Sequence, residues 1–157
     1  MMEPPRPAPK QQIAVILALV DGSEPSTRAV QAALDMAKKY GAKLIALSVV
    51  TAPSFLPVGT GGSPTDLSAY YEKGTADAKR AVDNALNLAE AAGVSTHGEV
   101  IEAAGSIVET IVDFAAREKV DLIVMGTRGL GGLKKFVLGS VSSGVVVHAQ
   151  CSVLIVR

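Results

Sequence analysis

The chain has no tryptophan, one cysteine and two histidines, and aromatic residues make up only 4% of its 157 positions. Each shortage removes a class of function. The lone cysteine, Cys151, has no partner for an internal disulfide, which suits a reducing cytoplasm. His97 and His148 are too few and too far apart in sequence for a dedicated zinc site. So few rings leave no platform on which bases of a single strand would stack. Fifteen Lys and Arg balance 15 Asp and Glu, so no net field attracts nucleic acid or an anionic membrane. No apolar run reaches the ~18–20 residues of a membrane-spanning helix. Ile13–Val20 is short, follows a Pro-rich stretch containing Glu3, and ends in Asp21-Gly22 rather than a small-residue cleavage site, so it reads as a strand and not as a signal peptide.

Against these absences stands a hydrophobic content of 48%, enough for one well-filled core in a chain of this length. Residues 1–12, with Pro4, Pro5, Pro7 and Pro9, read as a flexible or extended lead-in, and residues 13–157 as the folded domain. Ile13–Val20 is a continuous apolar run, the pattern of a strand covered on both faces. Ser23 then caps a helix with Pro25 in its first turn, an apolar stripe of Val30, Ala33, Leu34 and Ala37, and Gly41 at its end. Lys43–Val50 is a second strand and 53–64 a Gly/Pro-rich loop. A long helix from Thr65 or Asp66 to Ala92, weakened at Gly74 and stopped by Gly93, leads to a strand over Ser95–Ile101. Ser106-Ile107-Val108-Glu109 has the form of a capping box opening the next helix. Leu122–Met125, Ser140–Ala149 and Ser152–Val156 complete the set as strand, helix and strand. Strands alternating with helices imply βαβ crossovers, hence an α/β fold with a mostly parallel, doubly wound sheet.

Such a sheet binds ligands beyond the carboxyl ends of its strands, where the strand order reverses. The sequence places its unusual residues there. After Met125 come Gly126-Thr127-Arg128-Gly129, then nine residues, then Gly139-Ser140 at the start of a helix. Glycines permit close backbone approach, and a helix start offers free N–H groups to an anion, supported by the hydroxyls of Ser140 and Ser142. There is no G-x-x-x-x-G-K-[ST], and Gly129-Leu130-Gly131-Gly132 follows a late strand instead of opening the first βαβ unit, so neither a P-loop nor a dinucleotide fingerprint applies.

G-x-x-G, nine residues, then G-[ST] resembles the nucleotide-binding motif of the universal stress proteins, matched by Gly126, Gly129, Gly139 and Ser140. Val20-Asp21-Gly22-Ser23 is similar to that family's first strand-to-helix turn, and Val153–Arg157 to its ending. The resemblance implies a Rossmann-like sheet of five strands in the order 3-2-1-4-5, with ATP across the ends of strands 1, 2 and 4. It places Asp21 by the nucleoside, Val49 in the adenine pocket and Met125 at its edge. Gly126, Arg128 and Gly129 would follow the phosphate loop, and Gly139, Ser140, Val141 and Ser142 would hold the phosphates. Adjacent phosphates need countercharge and the loop supplies few cations, so Mg²⁺ or Mn²⁺ is expected with them, and the resemblance further implies a homodimer joined through the last strand. Two departures stand out. Ser48 occupies a position where many relatives carry histidine, and Gln150-Cys151-Ser152 replaces a common Pro-Cys-Pro.

Plainer readings accompany these. Asp21 is also a natural turn residue, Val49 a natural core residue, and Lys134 and Lys135 natural solvated charges. Arg128 serves equally as a solvated cation. His148, near a helix end, meets the negative end of the dipole, and Cys151 has no recognisable activating partner. The expected role is a regulatory ATP-binding module. Slow ATP hydrolysis, a nucleotide-independent interaction protein, and AMP or cyclic AMP as ligand are the alternatives.

Overall fold

The central strands are apolar runs too apolar to leave either face in water, and two less buried strands pair at their flanks. The computed structural model describes residues 12–51, 64–127 and 138–157. In chain order the elements are β1 (Val15–Leu19), α1 (Glu24–Tyr40), β2 (Lys43–Thr51), α2 (Pro64–Ala92), β3 (Thr96–Ala103), α3 (Ile107–Arg117), β4 (Leu122–Gly126), α4 (Ser140–His148) and β5 (Ser152–Val156). The strands form one parallel sheet in the order β3-β2-β1-β4-β5, as the resemblance implied. The chain moves outward from β1 in both directions, so the order reverses between β1 and β4 and leaves a crevice beyond their carboxyl ends. The Pro-rich lead-in lies outside the described residues but for Gln12, as do the 53–64 loop before Pro64 and most of the segment between Gly126 and Leu138.

Alternation along the strands divides the core in two. Ile16, Ala18, Leu44, Ala46, Leu122 and Val124 face α1 and α2; Leu17, Ile45, Leu47, Ile123 and Met125 face α3 and α4 around Phe114. Local chemistry sets the helix ends. Ser23 Oγ accepts the Ser26 N–H, Gly41 ends α1 at φ 65°, and Ser106 Oγ accepts the Glu109 N–H at 3.3 Å. One anchor had no signal in the sequence. Asp121 Oδ2 accepts the N–H groups of Ala14 and Val15 at 2.8 and 2.9 Å, fixing where β1 begins against β4. β3 runs to Ala103, two residues past its expected end, because it pairs with β2 as far as Thr51. Gly74 does not interrupt α2.

Candidate functional site

The reversal point holds a cleft of about 200 Å³. Leu19, Leu47, Val49 and Met125 at the strand ends form its floor, Ile107 and Ile111 of α3 one wall, and Val141 and Ser142 of α4 another. Asp21, Ser26, Ser48 and Gly126 complete it. The cleft is therefore mainly apolar with a few polar groups, the general character of a small-molecule site. The buried polar residues among those described are Ser23, Ser26, Ser48 and Ser142, and all but Ser23 line this cleft. Buried polar groups are rare unless satisfied, so their concentration at one end of the sheet marks that end as specialised.

The turn after β1 is held by its own side chains. Asp21 Oδ1 accepts the Ser23 N–H at 2.9 Å, Ser26 Oγ donates to the Ser23 carbonyl at 3.1 Å, and Gly22 takes φ 82°. Asp21 is thus both a turn residue and the one carboxylate that lines the cleft among the described residues.

The α4 start is built differently from those of α1 and α3. Gly139 is its cap and supplies no side-chain hydrogen bond, and its first turn carries no acidic residue. The Ser143 N–H is the first to bond within the helix, reaching the Gly139 carbonyl at 2.9 Å. The N–H groups of Ser140, Val141 and Ser142 consequently have no intrahelical acceptor, and the positive end of the helix faces the cleft mouth without a countercharge of its own.

Of the residues singled out in the sequence, Asp21, Val49, Met125, Gly126, Val141 and Ser142 come together in the cleft lining. Gly139 and Ser140, at the α4 start, are not among the residues that line it. Arg128 and Gly129, with Lys134 and Lys135, lie outside the described residues. Two of these residues also have partners within the protein. Gly126 packs against α1, since a Cβ there would lie 2.9 Å from Pro25 Cβ and 3.0 Å from its carbonyl carbon. The Ser142 hydroxyl, expected at the phosphates, donates to the Gly126 carbonyl at 2.9 Å. Ile107 and Ile111 line the cleft without having been singled out as site residues in the sequence. A helix stripe that lies over strand ends also lines the crevice there, so element order plus periodicity carried that signal.

A family model described as the universal stress protein family matches residues 13–157. The chain belongs to the universal stress protein family. Curated universal stress proteins agree: one from Methanocaldococcus jannaschii is 36% identical over 137 residues, covering 87% of this chain and 78% of its own. Among solved structures, universal stress protein UspA from Lactobacillus plantarum superposes with a TM-score of 0.78 at 28% identity, covering 93% of this chain and 99% of that one. A universal stress protein solved in complex with cAMP is also 28% identical, with a TM-score of 0.68 over 93% of this chain and 98% of that one.

Elsewhere on this universal stress protein, the Tyr71 hydroxyl donates to Glu102, which ties α2 to the end of β3 and raises the Tyr71 pKa through that bond. Burial raises the Cys151 thiol pKa. Neither group lines the cleft.

Proposed function

We propose that this chain binds an adenine nucleotide, ATP with Mg²⁺ or Mn²⁺ in the first instance, and serves as a regulatory module in a stress response. The observation that carries the reading is the pairing of an apolar slot with an uncapped helix start at the same reversal point. The base fits between the strand ends and Ile107 and Ile111. The phosphates reach the free N–H groups of α4, which favour an anion by about 0.3–1 kcal/mol through the dipole, before hydrogen bonds are counted. Asp21 lines the same space and is the carboxylate available to a phosphate-bound cation in this reading. The residues present thus fit the group, Arg128 and Gly129 lying along the loop in the same reading.

AMP or cyclic AMP is the second reading, favoured by the relative solved with cAMP. Titration calorimetry with ATP, AMP and cAMP, with and without Mg²⁺, separates them, and absence of heat with all three refutes nucleotide binding. Binding without rapid hydrolysis is part of the proposal. Phosphoryl transfer requires positioned cationic stabilisation, and no lysine, arginine or histidine lines the cleft among the described residues, which leaves Arg128 as the one charged helper in this reading.

The same reading includes a homodimer through β5. That strand ends the sheet, and its Val153, Leu154, Ile155 and Val156 are only half-buried, an apolar edge that another strand would cover. A cytoplasmic location also belongs to this proposal. Among the described residues no helix is long and apolar enough to cross a membrane.

A further inference from the structure

We infer that Ser142 is a positioning residue that latches the start of α4 to the end of β4 and so sets the affinity for the phosphate part of the ligand, not for the nucleoside. This rests on the nucleotide reading above. α4 has nine residues and buries only Ser142 and Val145, so apolar contact alone holds it weakly. A hydroxyl carries one proton. In Ser142 that proton goes to the Gly126 carbonyl at 2.9 Å, across 16 positions of sequence, at a side chain only 3% exposed. What remains on the oxygen is lone pairs, which repel a phosphate. The hydroxyl is therefore not a phosphate donor; its effect passes through the backbone.

Two further contacts fix the same turn. The Gly139 N–H donates to the Thr127 carbonyl at 2.8 Å, closing the base of the segment between them. On the other side Gly144 lies against α3, where a Cβ would come within 2.6 Å of Val108 Cγ2. With β4 on one side and α3 on the other, the direction of the free N–H groups of Ser140, Val141 and Ser142 is set before any ligand arrives. Preset donors do not have to be ordered on binding. The floor of the base slot, in contrast, is formed by the ends of β1, β2 and β4, which are held side by side by their own ladder hydrogen bonds.

The test is calorimetric titration of adenosine, AMP and ATP into wild type, Ser142→Ala, Ser142→Thr and Phe114→Leu, with melting curves and circular dichroism for each. Phe114 packs in the core beneath the cleft floor without lining the cleft, so its variant loses stability while leaving the latch hydroxyl in place. Ser142→Ala should weaken AMP and ATP about tenfold and leave adenosine within about twofold, the size expected from loss of one buried hydrogen bond. Ser142→Thr, which keeps the donor, and Phe114→Leu should both keep the ATP-to-adenosine ratio within about twofold of wild type. Equal loss of adenosine and ATP in Ser142→Ala, or no loss of either, overturns the latch, as does a Ser142→Thr protein that behaves like alanine. A wild type that binds none of the three refutes the nucleotide reading and this role with it.

Discussion

Gly126 has two potential reasons to be glycine, and substitution by alanine separates them. A Cβ at that position would sit 2.9 Å from Pro25 Cβ, 3.0 Å from Pro25 C and 3.2 Å from Pro25 O. Two of those atoms are backbone in the first turn of α1, which Ser23 caps and the Asp21 turn braces, so they do not swing aside as a long side chain would. On the other side β4 is held in register with β5 through Gly126 and Val156. The strand end or the helix start must shift by a few tenths of an ångström. Overpacking of that kind costs about 1–3 kcal/mol. For a chain of this length each kcal/mol lowers Tm by about 2–4 °C, so Gly126→Ala should melt roughly 4–8 °C lower for a central cost of about 2 kcal/mol. Gly74→Ala is the matched control. It lies inside α2 with nothing within 4 Å of an added Cβ, so alanine should stabilise by roughly 0.5–1 kcal/mol through helix preference. Differential scanning calorimetry without ligand reads both. An unchanged Tm for Gly126→Ala would show that Pro25 does not dictate this glycine and would refute the packing argument.

Further outcomes follow from the cleft and the sheet edge. Gly139→Val adds bulk at the cap of α4 and should lower ATP affinity by about tenfold or more in calorimetry, with the fold intact by circular dichroism; equal affinity removes the α4 start from the site. Leu154→Pro takes a donor from β5 and should shift the protein from dimer toward monomer or aggregate in light scattering, and a monomeric wild type at micromolar concentration refutes the β5 pairing. ATP hydrolysis by contaminant-free protein should be absent or well below ~1 per second, with Gly139→Val as the blank in a phosphate-release assay; many turnovers per second lost in that variant would mean an enzyme. Burial raises the Cys151 pKa, so its thiolate is scarcer than that of a free thiol at neutral pH, and iodoacetamide should label it more slowly in the folded than in the unfolded protein. The sign for stability is the same. A raised pKa adds stability that is complete below the unfolded thiol pKa and is lost as pH rises through the folded one.

The sequence by itself determined the elements and their order. Apolar runs of strand length, serine caps at Ser23 and Ser106, and glycine stops at Gly41 and Gly93 are local signals, and local chemistry decides them. The glycine-serine spacing located the ligand end of the sheet for a similar reason. It is a contiguous pattern, and the position of reversal follows from element order. Only tertiary structure decided what individual site residues do. Gly126 was read as a motif glycine and Ser142 as a phosphate-holding residue; the structure adds that one packs against Pro25 and that the other donates its proton to a carbonyl 16 residues away. Asp121 gave no hint that it fixes the start of β1, because its partners are more than 100 positions distant. Ser26, Ile107 and Ile111 join the cleft only once α1 and α3 lie on opposite faces of one sheet. Contacts of that kind depend on how far apart in the chain two surfaces are when the core brings them together, and no short stretch of sequence contains that distance.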